Sequence, residues 1–379
     1  MRSLSPLPLL LALLAGAAPA RAVEPVKLGA LLSVTGPAAF LGGPEQRTLE
    51  MAVDDLNARG GLAGRPVQLL VKDTGGSPEK AVSLARQLID EEQVFAIIGP
   101  STSGEAMAVK ALAERSGTLL LSCAAAEVIV KPVARWVFKT PQNDGDAAAM
   151  IFEHLKGQGI TRVALLSSNT GFGKAGKDQL EKAAPAHGLQ VVLSETYDKA
   201  ATDLTAEVTK VKASGAQALV NWSIEPAQAI VVKNVRQLGL GIPVYQSHGF
   251  GNIQYVKAAG PAAEGVVFPA GRLLVAESLP ASNPQRALLL AYKHAYEARY
   301  HEEASTFGGH AYDALLILQQ GVKVGGLDRA RVRAAIEATR GLVGTAGIFN
   351  FSPTDHGGLD ASAFLLLTVK DGKFVPLAK

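Results

Sequence analysis

The sequence has one cysteine, two tryptophans and four methionines in 379 residues, and aromatic residues make up only 6% of it. A chain whose single thiol is Cys123 forms no internal disulfide, so its stability must come from a buried core. A chain of this length can build one. Charge of either sign is nearly balanced: 37 Lys and Arg against 34 Asp and Glu leave a net charge of +3. The basic residues are scattered, without a stripe of interleaved aromatics, which argues against nucleic acid as a partner. There is no Gly-x-Ser-x-Gly elbow, no carboxylate pair placed for glycoside chemistry, and no pair of histidines at metal spacing with a third ligand. Gly171-Phe172-Gly173-Lys174-Ala175-Gly176 superficially resembles a dinucleotide loop between a strand and a helix, but its spacing departs from that fingerprint. These absences point away from an enzyme, and the expectation is no cofactor and no metal.

Long apolar runs are also scarce, and the longest is at the start. Arg2 is followed by an apolar stretch from Leu7 to Ala18, broken only by Pro8, and then by the small-x-small triplet Ala20-Arg21-Ala22. This is the pattern of a cleavable secretory signal, expected to be residues 1–22. The run is too short to span a bilayer. No cysteine near Val23 is available for a lipid. An exported chain without a disulfide suits a bacterial periplasm.

What the sequence does have is a sizeable apolar fraction, 48%, against 19% charged residues, and enough length for two domains. Short apolar runs alternate with helical spacing: Val26 to Leu32 and Val67 to Val71 read as strands, Glu45 to Ala58 and Pro78 to about Glu92 as helices. The alternation continues to Phe268, with strands at Val94–Ile98, Thr118–Ser122, Trp136–Lys139, Arg162–Ser167, Leu189–Glu195 and Ala216–Trp222. That is the signature of α/β architecture with doubly wound parallel sheets, which bind ligands at the carboxyl ends of their strands. The segments Thr35–Gly43, Pro100–Gly104, Cys123–Ala126, Asn169–Gly173, Trp222–Pro226 and Ser247–Asn252 are expected to be loops at those ends. The tail departs from the pattern: helices at about Pro284–Tyr300, Phe307–Val324 and Arg329–Ala338, then strands at Gly347–Phe351 and Ala363–Val369 with a turn at Asp371-Gly372.

The segment from Val94 to Glu105 organises the rest. A buried strand ends in Gly99-Pro100-Ser101-Thr102-Ser103-Gly104 and feeds a helix. The unpaired N–H groups of that helix, its dipole and the hydroxyls of Ser101, Thr102 and Ser103 suit a carboxylate. The same residues also suit plain capping of a structural helix. Cys123 reads as a small buried hydrophobe beside Leu119, Leu120 and Leu121. His310, on an apolar helix face with Tyr312 and Leu315, reads as core or capping.

Five motifs occur in order: Ser33-Val34-Thr35-Gly36-Pro37; Asn57-Ala58-Arg59-Gly60-Gly61-Leu62-Ala63-Gly64-Arg65-Pro66; Ile97-Ile98-Gly99-Pro100 with its serines; Gly171-Phe172-Gly173; and Thr306-Phe307-Gly308-Gly309-His310-Ala311-Tyr312-Asp313-Ala314. Together they resemble the periplasmic leucine/isoleucine/valine-binding proteins, the type I solute-binding components of ABC importers. The resemblance implies two lobes joined by three crossover strands, near Thr140–Asn143, Pro269–Arg272 and Phe351–Asp355. The first lobe would be 23–141 with 271–351, and the second 142–270 with 352–379. It also implies hinge closure on a small ligand, a permease in the inner membrane as partner, and a monomer. A receptor that hands its signal to a separate sensor is the alternative.

Carried over position by position, the resemblance puts the carboxylate-binding serine at Ser103, beside Ser101, and a backbone contact at Ala124. The first-loop aromatic falls on Leu41 with Phe40 beside it. The second-lobe aromatic falls on Phe172, and a wall near Trp222 to Ile224. Three departures stand out. Ala126 replaces a threonine, the tyrosine expected near Ile224 is absent, and the acidic residue that pairs with the ligand ammonium aligns with His248. An ammonium buried without a carboxylate costs several kcal/mol. Branched-chain amino acids are the family default, but the ligand expected here is a small carboxylate without the amine, with an aromatic acid among the candidates because Phe40, Phe172, Trp222 and Phe250 could line a slot. Trp222 could equally be core, and His248 a solvated loop residue.

Overall fold

Strand alternation decides the architecture. In the computed structural model, which describes residues 23–378, one sheet has five strands: β1 (Val26–Leu32), β2 (Val67–Asp73), β3 (Ala96–Ile98), β4 (Leu119–Ser122) and β5 (Val137–Lys139). Their order is β2-β1-β3-β4-β5 and every neighbouring pair is parallel. Successive side chains go to opposite faces. Leu28, Ala30, Leu32, Ala96, Ile98, Leu119 and Leu121 join one core cluster, while Leu31, Ile97 and Leu120 join another on the other face. A strand covered on both faces must be apolar at every position, hence the continuous runs in the sequence. The connecting helices are α1 (Ala39–Ala58), α2 (Pro78–Arg86) and α3 (Ser103–Ser116). The expected signal segment, 1–22, lies outside the described residues.

The second sheet has β6 (Arg162–Ser168), β7 (Gln190–Tyr197), β8 (Ala218–Trp222), β9 (Val244–Gln246) and β10 (Val267–Ala270), all parallel. Its helices are α4 (Asp144–Gly157), α5 (Gly171–Ala183), α6 (Thr205–Ala213), α7 (Ala227–Gln237) and α8 (Ile253–Ala259). The chain then returns to the first lobe with α9 (Arg286–Tyr300), α10 (Thr306–Gly325), α11 (Arg329–Glu337) and the short pair β11 (Leu342–Val343) and β12 (Ile348–Phe349). It ends in the antiparallel hairpin β13 (Leu365–Lys370) and β14 (Lys373–Pro376), which completes a seven-stranded sheet in the order β14-β13-β10-β9-β8-β6-β7. The fold is thus α/β, two doubly wound lobes built on parallel sheets.

The chain passes between lobes after β5 and after β10. The third passage differs from the sequence-based reading near Phe351–Asp355. Phe351, Leu359 and Ala363 still pack in the first lobe's cluster, and Phe364 is the first residue in the second lobe's. The segment between them is pinned to the first lobe by His356, whose Nδ1–H donates to the Val137 carbonyl at 2.9 Å and whose ring stacks on Phe138.

Helix α1 also departs from expectation. It starts at Ala39 rather than Glu45 and runs through Gly42, Gly43 and Pro44. Proline cannot donate to the carbonyl four residues earlier, so the Phe40 carbonyl loses its helical partner. Asn252 of the second lobe donates its side-chain amide to it at 2.9 Å. Phe40 and Leu41 therefore lie on a helical turn that docks against the other lobe, not in a loop.

Candidate functional site

The carboxyl ends of both sheets face each other across a small cavity. Its wall includes Leu41, Ser101, Ser103, Cys123 and Ala124 from the first lobe and Phe172, Ile224 and His248 from the second. Ala125, Pro141, Gly249, Phe307 and His310 complete it. The cavity volume is about 20 Å³, room for one or two water molecules. An organic ligand of several heavy atoms enters only when the lobes part or lining side chains turn. A wider groove of about 240 Å³ shares Phe172 and Ile224 with it and is edged by Thr102, Gly104, Gly171 and Glu225.

On the first-lobe side, the α3 N-terminus is built by a capping box: Thr102 Oγ1 accepts from Glu105 N at 3.4 Å, and the Glu105 carboxylate accepts from Thr102 N at 3.2 Å. Thr102 is thus a structural cap. Ser103 Oγ faces the next loop and accepts from Ala126 N at 3.2 Å. Ser101 Oγ accepts from Ser33 N at 3.0 Å and donates to the buried carboxyl of Glu45. Ala124 N donates to Ser122 Oγ at 3.1 Å. The Ala124 amide, expected to meet a ligand, is therefore committed inside the lobe, as is the Ala126 amide, and Ala126, a candidate site residue, does not line the cavity.

On the second-lobe side, Phe172 stands on the first turn of α5, which Thr170 caps by accepting from Gly173 N at 3.2 Å. Trp222 does not reach the cavity. It is fully buried behind Phe172, ring centroids 5.8 Å apart, and lies so close to α5 that a Cβ on Gly176 would sit 2.0 Å from its Nε1. Phe40 also points elsewhere, meeting Tyr255 edge to face at 5.3 Å. Phe250 lies in the second-lobe core, stacked on Tyr255 and edge to face with Phe268. His248 is buried, against the reading of a solvated loop residue, and three rings surround it: Phe172 at 5.4 Å, Trp222 at 5.6 Å and Phe364 at 5.6 Å.

Burial dominates the electrostatics. Desolvation pushes the imidazoles of His248 and His310 down to about 3, helped by the Lys139 ammonium, so both are neutral. Lys139 is itself buried, lowered to about 8 by desolvation, and donates to the Pro141 and Gln142 carbonyls at 2.7 and 3.2 Å. Burial raises the Cys123 thiol well above its ordinary value, which keeps it protonated. Glu45 is raised to about 8, first by desolvation, with the Ser101 hydrogen bond opposing and Glu105 adding to the rise. Among the described residues, no cluster of three or more His, Cys, Asp or Glu is arranged to hold a metal.

The Glu45 carboxyl makes stability depend on pH. Unfolded, it ionises near its ordinary 4.5; folded, it keeps its proton to about 8. Between those values the unfolded chain binds fewer protons, so stability falls as pH rises through the window, by at most about 1.4 kcal/mol per pH unit for this one group. Glu45→Gln should keep the Ser101 hydrogen bond and lose this slope. Melting curves from pH 5 to 8 check it: the variant should gain on the parent as pH rises. An equal decline in both would mean that Glu45 is ionised in the fold.

Sequence reasoning missed Cys123, Pro141, Phe307, Gly249 and His310 as lining residues. Cys123 directly follows β4 and so carried the strand-end signal. Phe307 and His310 are three apart at the start of α10, one face of a helix. Nothing local says that this face meets a cleft rather than a core.

A family model described as periplasmic binding protein matches residues 25–373. Leu/Ile/Val-binding protein homolog 3 of Brucella melitensis is 26% identical over 357 residues, covering 93% of this chain and 93% of that one. The structure is similar to an extracellular ligand-binding receptor from Rhodopseudomonas palustris HaA2, with a TM-score of 0.88, 27% identity, and coverage of 93% of this chain and 100% of that chain. It is similar also to LivJ of Streptococcus pneumoniae, a branched-chain amino acid transporter substrate binding protein solved in complex with isoleucine. There the TM-score is 0.82, identity 25%, and coverage 93% and 98%.

Proposed function

The chain belongs to the periplasmic binding protein family, in its Leu/Ile/Val-binding group, and from that premise we propose that it is an ABC-importer receptor whose ligand is a small carboxylate lacking an α-amine. It is a solute-binding protein of the branched-chain amino acid transporter type. The proposal concerns what it binds. One observation carries it: among the described residues, no acidic side chain lines the small interlobe cavity, Glu225 edges only the wider groove beside it and accepts there from Ser223 Oγ, and the position that aligns with the family's ammonium partner is a neutral imidazole. Glu45 is one residue back, separated by Ser101 and protonated at neutral pH. An ammonium there would be desolvated without a counter-charge, a cost of several kcal/mol.

A carboxylate meets a better reception. The α3 N-terminus contributes its dipole, and the Ser103 hydroxyl, which accepts from Ala126, keeps its own proton to donate. Phe172, Phe307, Leu41 and Ile224 offer apolar walls to an aliphatic or aromatic body. No bond is made or broken on the ligand. The lobes release it to a permease, and residues 1–22 serve as the export signal.

Thermal-shift titration tests this reading. Benzoate and 4-methyl-2-oxopentanoate should raise the melting temperature, because a ligand at a hundredfold its Kd adds about 2.7 kcal/mol to the native state. Leucine and valine should not. A shift with leucine alone would overturn it.

A further inference from the structure

Two imidazoles face the same cavity from opposite lobes. His248 follows β9 in the second lobe, and His310 is on the second turn of α10 in the first. Both line the cavity wall. Both are buried, and among the described residues neither ring nitrogen of His248 and not Nδ1 of His310 has a hydrogen-bonding partner. Buried polar atoms are normally paired, so each unpaired one needs an explanation. Each neutral ring has one N–H to give, so two such rings on one small cavity suit a ligand with oxygen acceptors.

We propose that His248 and His310 form a two-sided clasp, each donating a ring N–H from its own lobe to the carboxylate of the ligand. The proposal rests on the carboxylate reading above and adds a binding residue on α10 to it. A neutral imidazole carries one N–H donor and one acceptor nitrogen. Placing its donor toward the cavity costs nothing extra in a site where the ring is uncharged. The surroundings favour an anion between the rings. The nearest elements bring the Lys139 ammonium, whose positive charge lowers both imidazoles, together with the protonated Cys123 thiol and the protonated Glu45 carboxyl behind Ser101. Asp313, one turn along α10 from His310, turns away and accepts from Thr345 N, Thr345 Oγ1 and Ala346 N. Because the two donors belong to different lobes, both bonds form only when the lobes are together. Recognition and closure then become one event.

The test uses the mature protein and three probes: benzoate, 4-methyl-2-oxopentanoate and leucine. Calorimetric titration should give acid binding that His310→Phe weakens at least tenfold and His310→Asn, which restores an amide donor, partly recovers. Nitrogen-15 spectra of the unmutated protein, with its histidine signals assigned through His248→Gln and His310→Gln, should show both imidazoles shifting on addition of the bound acid. This readout stands even if His310→Phe does not fold. Acid binding with only His248 perturbed would overturn the clasp and leave the carboxylate reading intact. Binding of leucine but neither acid, or of none of the three, would overturn both.

Discussion

His248→Glu is expected to invert ligand preference. Affinity for amine-free acids should fall by about two orders of magnitude, and leucine should become a ligand. A hydrogen bond to a charged acceptor contributes about 1.5–3 kcal/mol, which is roughly tenfold to more than a hundredfold in Kd. A carboxylate in place of the donor adds repulsion within an apolar cage. Phe172, Trp222 and Phe364 surround the position, and among the described residues nothing there pairs with the existing ring nitrogens. An α-ammonium arriving beside it would form the missing ion pair. Titration of wild type and variant with leucine and 4-methyl-2-oxopentanoate, which share a side chain, checks it. His248→Gln serves as the neutral control and should weaken the acid without admitting leucine. An unchanged preference in His248→Glu would mean that the amine is recognised elsewhere.

The alignment that singled out His248 needed only residue types, and the strands were legible for a related reason. Fully covered strands such as Ala96–Ile98 are apolar at every position whichever partner covers them. The start of α1 was not legible. Gly42-Gly43-Pro44 reads as a break, and locally it would be one. The helix persists because Asn252, more than two hundred residues away in sequence, serves the carbonyl that Pro44 leaves bare. Trp222 and His310 are reversed for the same kind of reason. Both lie near the binding end of their lobe, but Gly176 lets the indole sink behind Phe172, whereas the α10 turn presents His310 to the opposite lobe. The third crossing likewise shifted from Phe351 to Phe364 because the stacked pair Phe349 and Phe351 packs under Phe138 of β5, a contact that no local pattern encodes. Side-chain direction at a cleft is a property of two surfaces meeting, and a single strand or helix specifies only one of them.

The same meeting of surfaces makes Gly171→Val the second large effect. Gly171 opens α5 in one lobe and faces Gly104, on the first turn of α3 in the other. A Cβ on Gly171 would lie 2.8 Å from the Gly104 backbone and 2.9 Å from Met107 Cε. Backbone cannot turn aside as a side chain can, so valine would hold the lobes apart there. Each lobe should still fold, since the first turn of a helix tolerates valine at a cost of well under about 1 kcal/mol. If contacts from both lobes are needed to hold the ligand, its apparent affinity scales with the fraction of molecules able to close. Strain of about 1–3 kcal/mol in the closed form predicts a loss of roughly fivefold to more than a hundredfold. Asn252→Ser offers a graded comparison. Serine can still cap α8, where Asn252 Oδ1 accepts from Gln254 N at 2.9 Å, but it is too short to reach the Phe40 carbonyl. Losing one interlobe hydrogen bond of about 1 kcal/mol should weaken binding about fivefold. Thr306 would still hold the same loop through its N–H and hydroxyl, 3.1 and 3.2 Å from the Gly251 carbonyl. Calorimetry gives the affinities, and small-angle scattering with and without benzoate gives the lobe separation. Gly171→Val should stay expanded at saturating benzoate, while Asn252→Ser should close. Tight binding with full compaction in Gly171→Val would show that the two helix N-termini need not meet for the ligand to be held.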